Sequence, residues 1–240
     1  MARWLRKWLF PAWLDSPYSN EFHVTRSLEP DIPDIVIRRL PLYVRTLRGL
    51  QAADTRSVSS DQLAELIGVT AAQIRRDLSY FGKFGKQGKG YDVAHLEQAI
   101  SHILQLDRKW DVALAGFGSL GHAIAHYRGF VPSSFHIAAI FDRNPDQLGV
   151  LVGGVSVKSD QRIAEEVHRL GIKIGIIAVP SASAQEVADA MVDGGVQAIL
   201  NYAPTVIKTP DAVQVREIDP IWAMQSMTYY LDGSRHGSRD

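Results

Sequence analysis

The stretch GFGSLG, at residues 116–121, decides the fold, and it stands inside WDVALAGFGSLGHAIAHY at residues 110–127. A G-x-G-x-x-G pattern is informative only when a strand precedes it and a helix follows it. Here the apolar run VALAG precedes it, and a helix is predicted from Ser119 onward. A second apolar run, FHIAAIFD, ends in Asp142, roughly 20 residues after the last glycine, which is the spacing of a dinucleotide-binding β-α-β unit.

The residue types in this unit suit a bound dinucleotide. Gly116 permits the tight turn, Gly118 lets the backbone approach the pyrophosphate, and Gly121 permits close packing of the helix on the strand. The free N–H groups at the start of the helix attract the phosphates. Asp142 would bind the ribose hydroxyls and repel a 2′-phosphate, which favours NAD(H) over NADP(H), although Arg143 beside it is a contrary signal. A glycine turn that binds no ligand is the alternative. The residues expected to contact the cofactor here are Gly116, Phe117, Gly118, Ser119, Leu120, Gly121, Asp142 and Arg143.

Strand-like and helix-like segments alternate over the second half of the chain. The apolar runs read DVALAG, FHIAAIFD, KIGIIAVP and VQAILNYAP, and each is bounded by Gly, Pro or Asp. Helices are predicted between them, at about 119–127, 161–170 and 183–194. Such alternation predicts an α/β domain, with a parallel sheet covered on both faces. The segment MQSMTYYLDG predicts a final helix.

The segment VSSDQLAELIGVTAAQIRRDLSYFG, at residues 58–82, predicts a helix-turn-helix. Ser59 can cap the first helix, Leu63 and Leu66 are expected on its buried face, and Gly68 ends it. Thr70 can cap the second helix. Two short helices joined by a turn that contains glycine are typical of a DNA-binding unit.

The stretch GKFGKQGKG, at residues 82–90, alternates glycine with lysine and predicts a hairpin tip, or wing. Arginine and glutamine can bind base edges in the major groove, and lysines suit phosphates. Basic residues outnumber acidic ones over 30–91 and are outnumbered over 92–240, which indicates a polyanionic partner for the front part only. The alternative is a packing unit with a solvated basic face. The residues expected to contact double-stranded DNA are Ser59, Thr70, Gln73, Arg75, Arg76, Ser79, Tyr80, Lys83, Lys86 and Lys89.

Two further helices flank this unit. The segment at 29–51 predicts a helix that kinks or restarts at Pro41, and the segment at 91–106 predicts a helix that begins at Asp92. The expected domains are a poorly ordered extension at 1–29, a winged helix at 30–91, a Rossmann domain at 92–233 and a tail at 234–240. The tryptophan-rich start of the extension could alternatively form a helix that binds a membrane surface or a partner.

Composition excludes several classes of site. The 240 residues contain no cysteine, which excludes disulfides, thiolate metal sites and cysteine nucleophiles. No apolar run reaches the ~18–20 residues of a membrane span, and a cytoplasmic location is expected. His122 and His126 have no evident third partner for a metal, and no acid–base residue of a dehydrogenase is evident. We therefore expect a protein without catalytic residues or a metal. The alternatives are an NAD-dependent dehydrogenase with an accessory helical domain, and a DNA-binding protein that needs no cofactor.

Over roughly residues 31–233, the chain resembles the Rex family of redox-sensing transcriptional repressors. The resemblance rests on IPDIVIRRLPLYVRTL, SSDQLAELIGVTAAQIRRDLSYFGKFGKQGKGY, GFGSLGHAIAHYRGF, FDRNP and ILNYAP. It implies a repressor that senses NADH against NAD+ and leaves its operator DNA when NADH binds. It also implies a homodimer with an N-terminal winged helix and a C-terminal Rossmann domain, in which a last helix at about 221–231 is swapped into the partner.

The resemblance assigns roles to further residues. Arg45, Tyr127 and Asp219 match the Arg, Tyr and Asp that link the DNA-binding domain of the family to the nicotinamide site, and Tyr127 would also contact the cofactor. Tyr202 stands where many relatives have Phe, a mild change that leaves the assignment in place. The positions that match the nicotinamide-side loops are Val179, Pro180, Asn201, Tyr202, Ala203 and Pro204.

Overall fold

The computed structural model describes residues 32–86, 90–127, 129 and 134–231. The expected N-terminal extension, the expected tail and Lys89 lie outside these residues. The chain divides into two compact units, of which the first ends at Leu104 and the second begins at Gln105.

The first unit combines helices with a small antiparallel sheet. Its strands are arranged in the order β1-β3-β2, and β3 pairs antiparallel with both neighbours. The elements are α1 (Asp34–Ala52), β1 (Ser57–Val58), α2 (Ser60–Ile67), α3 (Ala71–Ser79), β2 (Gly85–Lys86), β3 (Gly90–Asp92) and α4 (Val93–Ile103). The sequence predicts this arrangement, in which a helix-turn-helix is followed along the chain by a strand hairpin.

Helix α4 packs against α1 within the first unit. Its side chains Leu96 and Ile100 are fully buried, as are Leu40 and Leu47 of α1. From the sequence this helix is expected in the second domain, because the apolar stripe of α4 shows only that it is buried and not against which partner. In the structure, the helix completes the core of the first unit.

The predicted helix caps are present. The Ser59 hydroxyl accepts from the Gln62 N–H at 3.1 Å, and the Gln62 side chain accepts from the Ser59 N–H at 2.9 Å, which makes a complete capping box for α2. Thr70 caps α3 and Asp92 caps α4 in the same way, through the N–H groups three residues further on. These local hydrogen bonds depend only on neighbouring residues, so they could be predicted from spacing.

Two expectations about the first unit need correction. Helix α1 is continuous through Pro41, so it does not restart there, and Leu40 and Tyr43 on either side of the proline are both fully buried. Leu66, expected on the buried face of α2, has 58% of its surface exposed. The helix is only two turns long, so Leu63 and Ala64 suffice to bury its inner face.

The second unit alternates strands and helices along the chain. Its strands are β4 (Trp110–Ala115), β5 (Phe135–Asp142), β6 (Leu151–Val152), β7 (Val155–Ser159), β8 (Ile174–Ile177), β9 (Ala198–Asn201) and β10 (Gln214–Glu217). Its α-helices are α5 (Ser119–Ala125), α6 (Ile163–Leu170), α7 (Ser181–Asp193) and α8 (Pro220–Thr228). The sequence analysis did not predict β6, β7 or β10.

The strands of the second unit form one sheet in the order β10-β9-β8-β4-β5-β7-β6. All described neighbours pair in parallel except β6 and β7. Without the β6 edge strand, this is the 3-2-1-4-5-6 order of a dinucleotide-binding Rossmann sheet. The predicted fold class, a Rossmann-like parallel α/β domain after a helix-turn-helix unit, is confirmed.

Alternate residues of the central strand supply two cores on opposite faces of the sheet. Ala113 and Ala115 of β4 join the core that contains the buried residues of α6 and α7. Val112 and Leu114 join the core on the face covered by α5. This alternation follows from the two-residue period of a strand. It buries the sheet on both sides, while its carboxyl edge carries the loops discussed below.

Candidate dinucleotide site and DNA-binding surface

The glycine turn lies where the strand order reverses. β4 stands between β5 and β8, and open α/β sheets bind ligands at the carboxyl ends of the strands at such a switch point. Gly116 directly follows β4, and its N–H donates to the Phe141 carbonyl at 2.8 Å. The turn thus stands against the ends of both neighbouring strands, where the sequence pattern predicts a dinucleotide.

Glycine is required sterically at two of the three pattern positions. Gly116 has a φ of +94°, and a Cβ there would collide with the Ala178 carbonyl. A Cβ at Gly121 would collide with the Gly116 carbonyl, so the third glycine lets α5 pack on the turn. Gly118 has an ordinary φ of −73°, and no atom lies within 4 Å of a Cβ built on it. The space beside Gly118 is free for a ligand to approach the backbone.

Asp142 ends β5 and is bonded to the glycine turn. Its Oδ2 accepts from the Phe117 N–H at 2.5 Å, and its Oδ1 accepts from the Asn144 N–H at 2.7 Å. Each carboxylate oxygen has further acceptor capacity, so both remain able to accept from ribose hydroxyls. The sequence analysis assigned Asp142 to the ribose alone. In the structure, the carboxylate also fixes the position of the turn.

Arg143 is held by two acidic side chains. Its Nε donates to Asp160 at 2.8 Å, and its Nη2 donates to Glu186 at 2.7 Å. The hydrogen bond to Glu186, followed by that to Asp160, raises the pKa of Arg143 above its usual value. In the sequence, the positive charge of Arg143 was a contrary signal to NAD(H). In the structure, Asp160 and Glu186 of the same chain balance this charge.

The other predicted cofactor segments follow neighbouring strands. Val179 and the exposed Pro180 lie between β8 and α7, and a Cβ at Gly116 would lie 3.0 Å from the Val179 side chain. The Tyr202 N–H donates to the Ile177 carbonyl at 2.8 Å, so the segment after β9 borders the end of β8. The structure thereby brings the glycine turn and both nicotinamide-side segments to one edge of the sheet.

The Asn201 side chain stabilises the loop that follows β9 through hydrogen bonds. The side chain is fully buried, and its Nδ2 donates to the Thr205 carbonyl at 2.8 Å and to Glu217 at 2.6 Å. Its Oδ1 accepts from the Ala203 N–H at 3.0 Å. Every polar atom of this side chain is thus used within the protein. These bonds shape the loop, and the contact of Asn201 with the cofactor stays a prediction. Tyr202 is half-buried and Pro204 is exposed.

The three residues of the expected coupling group are placed on separate elements. Arg45 is exposed on α1 of the first unit, and the Tyr127 ring, 66% exposed, follows α5. Asp219 follows β10 at the carboxyl edge and caps α8, since its Oδ1 accepts from the Ile221 N–H at 2.8 Å. The structure places Tyr127 and Asp219 in the unit that carries the glycine turn.

The second helix of the helix-turn-helix presents most of its predicted DNA-contacting residues to solvent. Arg75, Arg76 and Ser79 are exposed, whereas Gln73 and Tyr80 are half-buried. Arg75 is steadied by a 2.7 Å hydrogen bond from its Nη1 to Ser60 Oγ. The hydroxyls of the capping residues Ser59 and Thr70 accept from backbone N–H groups and keep a proton that could be donated to a phosphate.

The wing is formed by the β2–β3 hairpin. Lys86 of β2 lies opposite Gly90 of β3, and Lys83, just before the hairpin, is exposed. A surface groove between α3 and the wing is lined by residues that include Arg75, Ser79 and Lys83. Lys89, the third lysine of the predicted wing, lies outside the described residues.

A buried carboxylate on the inner face of α3 was not predicted from the sequence. Asp77 of α3 is fully buried, and Arg39 of α1 binds it through two hydrogen bonds of 2.6 and 2.8 Å. The Tyr43 hydroxyl donates to it at 2.6 Å, and Gln73 Nε2 donates to it at 2.6 Å. The available signal was its spacing, because Asp77 falls three residues after the buried Ile74, on the inner stripe of the helix.

This network keeps Asp77 ionised. Burial by itself would raise the pKa of the carboxyl, but the hydrogen bonds from Arg39, Tyr43 and Gln73 outweigh burial and lower it. Burial and the bond to Asp77 also raise the pKa of the Tyr43 hydroxyl, which therefore remains a donor. Removal of one member of such a buried pair typically costs about 3–5 kcal/mol. The network fastens α3 to α1.

Neither a metal group nor a membrane span is found in the part of the chain that the structure describes. Three or more His, Asp or Glu side chains nowhere gather there as metal ligands. The rings of His122 and His126 stack with centroids 4.2 Å apart, and His122 also faces Phe117. None of the described helices has the length and apolar character to cross a bilayer.

Two family models match the chain, one for each unit. The model described as "Putative DNA-binding protein N-terminus" matches residues 31–79, and the one described as "CoA binding domain" matches residues 107–205. The first match covers α1 to α3, and the second covers the sheet from β4 to β9. The matches thus separate a DNA-binding part from a nucleotide-fold part.

Solved structures share the whole architecture. A crystal structure described as RSP in complex with beta-NAD+ and operator DNA superposes with a TM-score of 0.81 at 39% identity, covering 85% of this chain and 94% of that one. A second, of RSP in complex with beta-NADH, has a TM-score of 0.77 at 36% identity, covering 85% and 96%. A third crystal structure describes RSP as a Rex-family repressor.

Curated relatives bear the same family name. The redox-sensing transcriptional repressor Rex of Roseiflexus sp. (strain RS-1) is 53% identical over 210 residues, which are 86% of this chain and 96% of that protein. That of Chloroflexus aurantiacus (strain ATCC 29366 / DSM 635 / J-10-fl) is 52% identical over 199 residues, 83% of this chain and 94% of that protein. With 52–53% identity to these repressors over more than four fifths of its length, the chain belongs to the Rex family of redox-sensing transcriptional repressors.

Proposed function

We propose that this protein is a cytoplasmic repressor that binds operator DNA through its first unit and NADH or NAD+ through its second. The observation that carries the proposal is the glycine turn at the switch point of the sheet, tied to Asp142, in a chain that also has an exposed recognition helix. RSP has been crystallised with beta-NAD+ together with operator DNA, and also with beta-NADH. This pattern supports release of DNA by the reduced cofactor.

In the proposed complex, the cofactor lies along the carboxyl edge of the sheet. The pyrophosphate would approach Gly118 and the N–H groups at the start of α5, while Asp142 would bind the adenosine ribose. The nicotinamide would lie toward Val179 and the segment at 201–204. Asn201 would shape that segment, because its side chain makes three hydrogen bonds within the protein.

DNA binding is assigned to α3 and the wing. Arg75, Arg76 and Gln73 would face the major groove, and the lysines of the wing would contact the sugar–phosphate backbone. The protein would bind as a homodimer, with α8 swapped into the partner. NADH would change the spacing of the two recognition helices, which must match half-sites about 34–36 Å apart.

The test is a fluorescence anisotropy titration of the full-length protein with duplexes selected from a random pool, in NADH and in NAD+. Typical allosteric coupling of about 1–3 kcal/mol predicts an operator affinity roughly 5–150-fold lower with NADH. By reciprocity, operator DNA must lower the affinity for NADH relative to that for NAD+ by the same factor. Equal operator affinity with both cofactors would contradict the redox-sensing function.

We further propose that the protein regulates rather than catalyses. Its relatives are named as repressors, although the Rossmann-like fold is shared with dehydrogenases. The expected result is that NADH absorbance at 340 nm stays constant on incubation with small aldehydes and ketones. Steady NADH oxidation that depends on the protein would favour the dehydrogenase alternative.

A further inference from the structure

Gln73 is the one predicted base-reading residue of α3 whose side chain is anchored from beneath. Its Nε2 donates to the buried Asp77 Oδ1 at 2.6 Å, across one helical turn. The side chain is half-buried and belongs to the outward-facing set of the helix. The anchor therefore joins the DNA-facing side of α3 to its interior.

The hydrogen bond to Asp77 fixes the orientation of the Gln73 side-chain amide. Asp77 receives hydrogen bonds from Arg39, Tyr43 and Gln73, so the carboxylate is ionised and acts as an acceptor only. If the Gln73 amide were reversed, its carbonyl oxygen would face a carboxylate oxygen, and neither has a hydrogen to donate. Only one amide orientation is therefore compatible with the buried network.

An amide anchored in this way still has two groups to offer. Nε2 carries two hydrogens and uses one of them on Asp77, which leaves the second N–H and the Oε1 acceptor. Adenine presents an N6 amino donor and an N7 acceptor in the major groove, which match an amide oxygen and an amide N–H. A freely rotating amide could adopt either orientation before binding, whereas this one is preset.

We propose that Asp77 is a positioning residue for sequence readout, which holds the Gln73 amide so that its Oε1 and second N–H read one adenine of the operator. This inference rests on the proposed DNA-binding function. Asp77 itself does not touch DNA. Arg39 balances its charge from the far side, so that an acidic residue can lie directly beneath a surface that meets phosphates.

The test is to select bound duplexes from a random pool with full-length wild type, Gln73→Ala and Asp77→Asn, and to compare the enriched motifs. Gln73→Ala should lose the preference for adenine at one base pair of each half-site. Asp77→Asn should relax that same base pair and no other, because the substituted amide can donate as well as accept and so permits both orientations of Gln73. In wild type the preference should be roughly 5–150-fold, the discrimination given by a bidentate contact.

A matched control exists on α7. Gln185 Nε2 donates to Asp189 Oδ1 at 2.8 Å with the same four-residue spacing, in the other unit. Asp189→Asn should leave the motif unchanged. Because Asp77 is buried, the thermal unfolding of Asp77→Asn is compared with that of wild type before the selection.

A purely structural role has a different signature. If Asp77→Asn weakens all duplexes equally and the motif is unchanged, the positioning role is refuted while DNA binding stands. If Gln73→Ala leaves the motif unchanged, Gln73 reads no base and the inference fails. A wild-type protein that enriches no motif would overturn the proposed function and this inference with it.

Should Asp77→Asn not fold, the wild-type protein still answers the question. With 15N-labelled glutamine side chains, both Nε2 hydrogens of Gln73 should be protected from exchange in the operator complex. Replacement of the adenine by 7-deazaadenine removes the N7 acceptor, so it should expose one of the two hydrogens and leave the one bonded to Asp77 protected. Exposure of both, or of neither, contradicts the proposal.

Discussion

At the scale of single residues, the three glycines of the turn have separable roles. A Cβ at Gly121 has no room, because the Gly116 carbonyl occupies its place, whereas a Cβ at Gly118 meets nothing within 4 Å. The sequence pattern treats the three positions alike. The structure shows that packing within the protein requires glycine at 121. At position 118, only a bound ligand would require it.

The substitutions Gly118→Ala and Gly121→Ala should therefore behave differently. Gly121→Ala should lower the melting temperature without ligand, since overpacking typically costs about 1–3 kcal/mol. Gly118→Ala should melt as wild type does but lose most of the rise in melting temperature that NADH gives, because the stabilisation by a bound ligand grows with the logarithm of its concentration divided by Kd. Thermal melts with and without NADH measure both effects. An undiminished NADH response in Gly118→Ala would show that the pyrophosphate does not approach this backbone.

At the scale of elements, a buried carboxylate fastens α6 to the sheet. Glu166 of α6 is nearly fully buried and lies 2.7 Å from Lys158 Nζ of β7, 2.5 Å from Arg169 Nη2 and 3.0 Å from Arg162 Nη2. Hydrogen bonds from Lys158 and then Arg169 lower the pKa of Glu166 from 4.5 to about 2. Since the folded-state pKa is lowered, this contribution is complete above about pH 4.5 and is lost as the pH falls toward 2.

Glu166→Gln should consequently lower the free energy of unfolding at neutral pH by about 1.5–3 kcal/mol, the worth of hydrogen bonds to a charged group. Its deficit relative to wild type should shrink as the pH falls from 4.5 toward 2, where wild type loses the same charge. Urea unfolding at several pH values measures this. The control is Glu165→Gln, whose exposed pair with Arg162 should be worth about 0–1 kcal/mol. A deficit that is independent of pH would contradict the assignment.

At the scale of the whole molecule, α8 presents apolar side chains to solvent. It has no buried residue in the described chain, and Trp222, Met224 and Met227 are each at least half exposed. Exposed apolar patches on this scale mark interaction sites. This agrees with the proposed exchange of α8 between the two subunits.

Met227→Glu should accordingly weaken the dimer. Burial of a large apolar side chain is worth about 1.5–3 kcal/mol, and the dimer carries the substitution twice, so its dissociation constant should rise roughly 10²–10⁴-fold. Sedimentation equilibrium measures it, with Gln225→Glu on the same helix as the control for added charge. A wild-type protein that sediments as a monomer would refute the dimer.

Coupling between the two units provides the second test at this scale. Arg45→Ala and Asp219→Asn should leave the affinities for operator and for NADH each within a few-fold of wild type, while the effect of NADH on operator affinity falls toward none. Asn is chosen at 219 because it caps a helix nearly as well as Asp, so that α8 keeps its cap while the charge is lost. Anisotropy titrations with and without NADH measure the ratio, and a wild-type ratio in both variants would count against the proposed link.

The sequence by itself determined what depends on neighbours along the chain. The strand–glycine turn–helix unit ending in Asp142, the caps at Ser59, Thr70 and Asp92, and the exposed face of α3 all follow from spacing of a few residues, because periodicity and capping are local. They were sufficient to predict the helix-turn-helix, the Rossmann-like fold and the glycine-turn part of the candidate site. The segments at 179–180 and 201–204, together with Arg45, Tyr127 and Asp219, were assigned by the family resemblance.

Only the tertiary structure decided what depends on partners distant in the chain. It assigned α4 to the first unit, added β10 beside β9, joined the Asn201 side chain to Glu217 of β10 and placed Asp77 against Arg39 and Tyr43. An apolar stripe or a polar residue shows in sequence that it requires a partner, but not which one. Packing and the need to satisfy buried polar groups make that choice, and they act between segments that the sequence separates.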